Sequence, residues 1–203
     1  MKDCCELSAE ISDDQRRVLW IVLAINVVMF AVEFVGGLLA HSTSLLADSV
    51  DMLGDSIVYG VSLFAIARGV RWKARAALLK GVIMAAFGAG VVVEVVLKIS
   101  GGVVPTAELM TGIGIVALVA NGSVLVLLWH RRSDDVNMRS AWLCSRNDVI
   151  ANAGVLMAAA AVSVTGSAWP DIAVGLAIAA RFAGSAIDVI RSARRELALP
   201  VSR

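Results

Sequence analysis

Long apolar runs and short charged connectors alternate along this chain. Six runs emerge, at residues 18–39, 44–67, 76–99, 109–130, 138–165 and 169–190. Each is long enough to cross a ~30 Å hydrocarbon core as a helix, which needs about 20 residues. The second run, within HSTSLLADSVDMLGDSIVYGVSLFAIA, carries an internal pattern. At about 100° per residue, Ser44, Asp48, Asp51, Asp55, Tyr59 and Ser62 fall within one narrow arc, while Leu45, Leu46, Val50, Met52 and Leu53 supply the apolar face. A helix beginning only after Asp55 would leave residues 56–67, about 18 Å at a ~1.5 Å rise, too short to cross. The aspartates therefore lie within the span. An intramembrane carboxylate costs at least ~2.5–3.5 kcal/mol, so these three must face water, each other or a bound cation.

Charge in the connectors sets the topology. Arg68, Arg71, Lys73, Arg75 and Lys80 follow the second run, Arg131, Arg132, Arg139 and Arg146 lie around the fourth connector, and Arg191, Arg194, Arg195 and Arg203 occupy the tail. Segments 41–43, 100–106 and 166–170 are poor in Lys and Arg. The predicted architecture is an all-α membrane protein with six transmembrane helices and both termini cytoplasmic. It divides into a tail at 1–17, a transmembrane domain at 18–190 and a short tail at 191–203, too short for a folded domain. Gly101-Gly102 with Pro105, and Gly166 to Pro170, break the chain between runs. A composition of 59% hydrophobic residues and a mean hydropathy of +0.82 exclude an ordinary soluble domain. The first residues are too polar for a cleavable signal peptide, with Asp3, Glu6, Glu10, Asp13 and Asp14. Three cysteines, two of them adjacent, argue against a disulfide framework.

A second polar pair lies in the fifth run, RNDVIANAGVLMAAAA, where Asp148 and Asn152 share a face with Cys144 one turn earlier. Asp51, Asp55, Asp148 and Asn152 would together offer three carboxylates and an amide oxygen, a set suited to a divalent cation. Other positions keep two readings. Glu33, with Asn26 two turns before it, lines a transport cavity or holds helix contacts. Cys4 and Cys5 form a soft metal-collecting tail or are incidental thiols. Cys144 packs or touches metal in transit. His41 is solvated or a release-side ligand. Small residues in runs three and four (Gly81, Gly88, Gly90, Gly112, Gly114, Gly122) permit close helix approach. Glu94 and Lys98 are expected to pair, and Arg181 snorkels or pairs with a carboxylate.

At these residues the chain resembles the cation diffusion facilitator family of divalent-metal transporters. SLLADSVDMLGD is similar to that family's second-helix signature, with two ligands spaced i, i+4; DVIAN matches the pair in its fifth helix, and NVVMFAVEFVGG contributes Asn26 and Glu33. The resemblance covers approximately residues 18–190. It implies Asp51, Asp55, Asp148 and Asn152 as metal ligands, with Asp48, Glu33 and Asn26 supporting. It also implies a homodimer in a membrane, here a bacterial inner membrane, exporting Zn2+ or similar ions from the cytoplasm in exchange for protons. The ligand set has no histidine, and Asn152 stands where a carboxylate is common. The cytoplasmic metal-binding domain of the family is expected to be missing.

The chemistry suits that exchange, because a divalent ion favours ionised carboxylates and displaces their protons. Zn2+ and Cd2+ lead by resemblance, and oxygen ligation also accommodates Mn2+, Fe2+ or Co2+. No enzyme activity, resident cofactor or nucleic-acid partner is expected. An intramembrane aspartyl protease would need aspartates in YD and GxGD contexts. Gly54-Asp55 echoes only part of the second, and no YD occurs. A non-transporting metal sensor or assembly subunit is the alternative function.

Overall fold

Each predicted run is one helix in a computed structural model that describes residues 12–65, 70–134 and 136–198. The helices are α1 (Asp13–Ala40), α2 (Thr43–Ala65), α3 (Val70–Gly101), α4 (Ala107–Trp129), α5 (Val136–Thr165) and α6 (Trp169–Ala198). Their ends follow local chemistry. Ser12 caps α1 through a reciprocal pair of hydrogen bonds with Gln15, and Asp13 and Asp14 lie at the positive end of the helix dipole. Accordingly α1 starts ahead of the apolar run. At its other end His41 takes a left-handed conformation (φ 52°), turning the chain into α2 within two residues. α6 likewise continues past residue 190, to Ala198.

The packing is inverted relative to a water-soluble bundle. Val28, Leu39, Leu97, Val119, Val126, Met157 and Val164 face outward, while Asn26, Glu33, Asp48, Asn121, Asp148, Asn152 and Asp171 are buried. Only a hydrocarbon solvent makes this arrangement favourable. Five helices are long and apolar enough to cross a membrane by composition. α2 is the exception, since every 18-residue window in it contains Asp48, Asp51 and Asp55. It nevertheless packs against α1, α3, α5 and α6, which shield it from lipid. α1 also meets α4, α4 lies along α5, and α3 along α6. The chain belongs in a membrane, with α2 as its inner element.

Opposite ends of the bundle are tied differently. At one end the Thr106 amide donates to the Ala40 carbonyl (2.9 Å), joining the α3–α4 connector to the end of α1. At the other, Arg131 pairs with Asp14 (2.5 Å). Three apolar clusters line the interior among the described residues, a small one of Met29, Met52 and Ala117 and two larger ones. Of the larger two, one holds Leu45, Val50, Met84, Val155 and Phe182; the other holds Leu19, Val22, Tyr59, Leu63, Leu128 and Met138. Along α2, Asp51 and Asp55 fall between these two. Of the glycines in α3 and α4, Gly81, Gly88 and Gly114 sit against Ile190, Phe182 and Leu156, whereas Gly90, Gly112 and Gly122 face open space.

Candidate metal site

The stripe on α2 remains intact, with Asp48, Asp51 and Asp55 all buried. Period-3.6 geometry alone puts them in line, and each meets a different partner. Asp48 accepts from the Asn152 side-chain amide of α5 at 2.5 Å. The Asn152 amide oxygen accepts in turn from Nδ2 of Asn121 on α4, at 2.9 Å. Three helices are thereby joined by one polar chain, in which Asn121 also faces the Met52 sulfur at 3.8 Å. Asp51 forms an ion pair with Arg181 of α6. Asp55 takes a hydrogen bond from the Cys144 thiol of α5 and faces Lys80 of α3.

Asp148 is buried among these acids, interacting electrostatically with Asp55, Asp51, Asp48 and Arg181. From α1, fully buried Glu33 faces Asp48 and Asp51, and both of its oxygens are without a hydrogen-bond partner among the described residues. Asn26 donates to the Val22 carbonyl at 2.9 Å, leaving its own oxygen without one. Asp48 Oδ1, Asp55 Oδ2 and Asn121 Oδ1 are in the same condition. Buried acceptors are ordinarily satisfied, so this concentration is chemically unusual. It is a volume of oxygen lone pairs held in an apolar bundle.

Glu33, Asp48, Asp51, Asp55 and Asp148 bring five carboxylates against two cations, Lys80 and Arg181. In this arrangement no three His, Cys, Asp or Glu side chains among the described residues gather closely enough to enclose one ion. The acids are spread along the α2 stripe, with Asp51 engaged by α6 and Asp48 by α5. Cys4 and Cys5 lie outside the described residues.

Several expectations change at this level. Lys80, grouped by sequence with the basic connector, is buried in α3. Cys144 bonds a carboxylate as well as packing. Asn121 was not anticipated; its signal was a single amide inside the apolar run VALVANGSVLVLL. His41 is exposed and serves as the C-cap of α1. Lys98 does approach Glu94, at 3.8 Å, but its nearer partner is Asp171, at 2.7 Å.

That last pair belongs to a second polar centre, at the end of the bundle where α2 begins. Asp171 of α6 accepts from the Ser42 hydroxyl (2.7 Å), the Thr43 amide (2.7 Å), the Ser44 amide (3.1 Å) and the Ser44 hydroxyl (2.6 Å), besides Lys98. Glu94 accepts from the Thr43 hydroxyl at 2.5 Å. The carboxylate satisfies amides at the α2 N-terminus that have no acceptor within the helix.

Comparison with known proteins matches residues 19–198 to a family described as the cation efflux transmembrane domain. The metal cation efflux system protein CzcD of Cupriavidus metallidurans is 25% identical over 174 residues, 80% of this chain and 55% of that protein. A cadmium, cobalt and zinc/H(+)-K(+) antiporter of Bacillus subtilis is 27% identical over 171 residues, 74% and 54% of the two chains. The zinc transporter ttm-1 of Caenorhabditis elegans is 44% identical over 50 residues, 25% and 12%. The chain spans about half the length of the bacterial relatives it matches.

Proposed function

We propose, from the premise that this chain belongs to the cation efflux family, the cation diffusion facilitators, that it moves divalent metal cations out of the cytoplasm in exchange for protons. The ions bind at Asp51, Asp55, Asp148 and Asn152, between α2 and α5. The observation that carries this reading is the set of buried oxygens without hydrogen-bond partners among the described residues, on Asp48, Asp55 and Glu33, beside the buried Asp148 and Asn152. Acceptor-only groups in an apolar bundle are stabilised by a cation or a proton and by little else. Metal and protons compete for the same carboxylates, and that competition is the coupling. Because the acids interact, the exchanged protons belong to the group rather than to one residue.

Asn152 keeps a role as ligand in this reading, since an amide oxygen has two lone pairs and Asn121 engages one. Asp48 supports Asn152 directly, and Glu33 and Asn26 complete the wall on the α1 side. The protein is proposed to act as a homodimer in a bacterial inner membrane with both termini cytoplasmic. Names of relatives favour zinc, cadmium and cobalt as substrates. Oxygen donors alone also suit Mn2+ and Fe2+.

The test is metal flux in proteoliposomes containing the purified chain, run over these ions with an imposed proton gradient. Wild type is expected to accumulate metal, and Asp51→Ala, Asp55→Ala and Asp148→Ala to lose accumulation by at least about tenfold, as loss of one charged ligand implies. Metal binding without flux would instead identify a sensor. Accumulation against a metal gradient with every ion gradient dissipated would sink the antiport.

A further inference from the structure

Arg181 stands in the middle of α6, in the apolar segment GLAIAARFAG, where a permanent charge is costly. Its guanidinium is ion-paired with Asp51 and interacts electrostatically with Asp148 and Asp55. Those are the three carboxylates of the proposed ligand set. A guanidinium carries its charge at every accessible pH, so the site contains a cation that no proton equilibrium removes. A second cation beside these acids, the buried Lys80, faces Asp55 from α3.

One geometric fact separates Arg181 from a simple staple between helices. Its side chain is about a third exposed (32%) while that of Asp51 is nearly covered (12%), so the arginine has room to withdraw and the aspartate does not. Its long, flexible stem lets the head group shift while α6 stays in place. A divalent ion seeking Asp51 Oδ2 therefore meets a rival already bonded there and tethered to α6.

We propose that Arg181 is a built-in competitor for the transported ion. Metal must draw Asp51 away from the guanidinium, and the guanidinium's return helps to expel the metal. Arg181 thus sets the affinity of the site and links its occupancy to the contact between α2 and α6. This inference rests on the metal-site reading given above. It differs from a structural role in sign: a staple strengthens metal binding by holding Asp51 in place, whereas a competitor weakens it.

The experiment measures Zn2+ and Cd2+ affinity of the full chain in nanodiscs, by competition with a fluorescent chelator. Arg181→Gln is expected to bind both ions roughly tenfold more tightly than wild type, on the scale of one lost charge-assisted hydrogen bond. Arg181→Lys, which keeps the charge, is expected to stay near wild type. Unchanged or weaker binding by Arg181→Gln overturns the proposal. A second measurement needs no variant: Zn2+ is expected to raise the rate at which phenylglyoxal modifies Arg181, read by peptide mass spectrometry. An unchanged or lower rate also overturns it. Failure of the underlying reading is distinct, because wild type would then bind no metal, or Asp51→Asn and Asp55→Asn would leave its affinity unaltered.

Discussion

Asn152 is bonded on both sides, by Asn121 at its oxygen and to Asp48 through its nitrogen. Replacing it by alanine strands an amide and part of a carboxylate in the apolar interior, each costing about 1–3 kcal/mol. Asn152→Ala is therefore expected to lower the melting temperature in detergent as well as weaken metal binding. A double-mutant cycle with Asn121→Leu should show coupling of about 1 kcal/mol, because the two residues share one hydrogen bond. Strict additivity of the two losses would show that the bond contributes nothing. At this scale the sequence lined up the α2 acids on one stripe and offered Asp148 and Asn152 of the fifth run as the other half of a site. Which acid faces which partner was invisible to it, because Asp48, Asp51 and Asp55 share a helix face and differ only in the helix lying opposite.

The start of α2 is held by an element distant in sequence. Asp171 takes hydrogen bonds from Ser42, Thr43 and Ser44, and it also binds Lys98. Asp171→Asn removes the charge that Lys98 is buried against, and breaking such a pair typically costs about 3–5 kcal/mol. Glu94, 3.8 Å from the same ammonium, partly compensates, so about 2–3 kcal/mol is expected. Thermal unfolding in detergent reads the loss, and hydrogen exchange at Thr43 and Ser44 should accelerate with it. Intact protection there would show that the carboxylate is dispensable to α2. Close approach at the same crossing gives a steric test. A Cβ on Gly175 would come within 2.8 Å of the Thr43 carbonyl carbon and 2.9 Å of its oxygen, both main-chain atoms. Gly175→Ala is expected to destabilise by about 1–3 kcal/mol, as overpacking does. Gly112→Ala, with nothing within 4 Å, is expected to be neutral or to gain up to about 1 kcal/mol from helix propensity. Equal melting temperatures for the two variants would remove the α2–α6 crossing from the account.

At the scale of the molecule, the bundle exposes its apolar side chains and covers its charged ones. The Asp14–Arg131 pair marks one end, and the joint between Ala40 and Thr106 marks the other. With the basic connectors proposed to be cytoplasmic, single cysteines on a cysteine-free background give a direct reading. Cysteines at exposed Arg139 and Arg194 should react with a membrane-impermeant maleimide only in inside-out vesicles, and one at Val104 only in right-side-out vesicles. The reverse pattern would invert the direction of transport. A pattern accessible from both sides would argue against six crossings.

The sequence by itself determined the six helices and the family. Both rest on local regularities: runs of apolar residues at membrane length, and carboxylates spaced to share a helix face. It also marked the second run as the polar helix, though by composition α2 does not qualify as a membrane span at all. Only the tertiary structure decided why that helix is tolerated, namely that α1, α3, α5 and α6 surround it. Pairings between distant helices were likewise decided there: Asp51 with Arg181, Asp48 with Asn152, and Asp171 with the start of α2. The physical reason is one of range. Helix formation and membrane insertion depend on neighbours within a few turns, whereas a buried charge finds its partner wherever packing brings one, and nothing in local spacing records that choice.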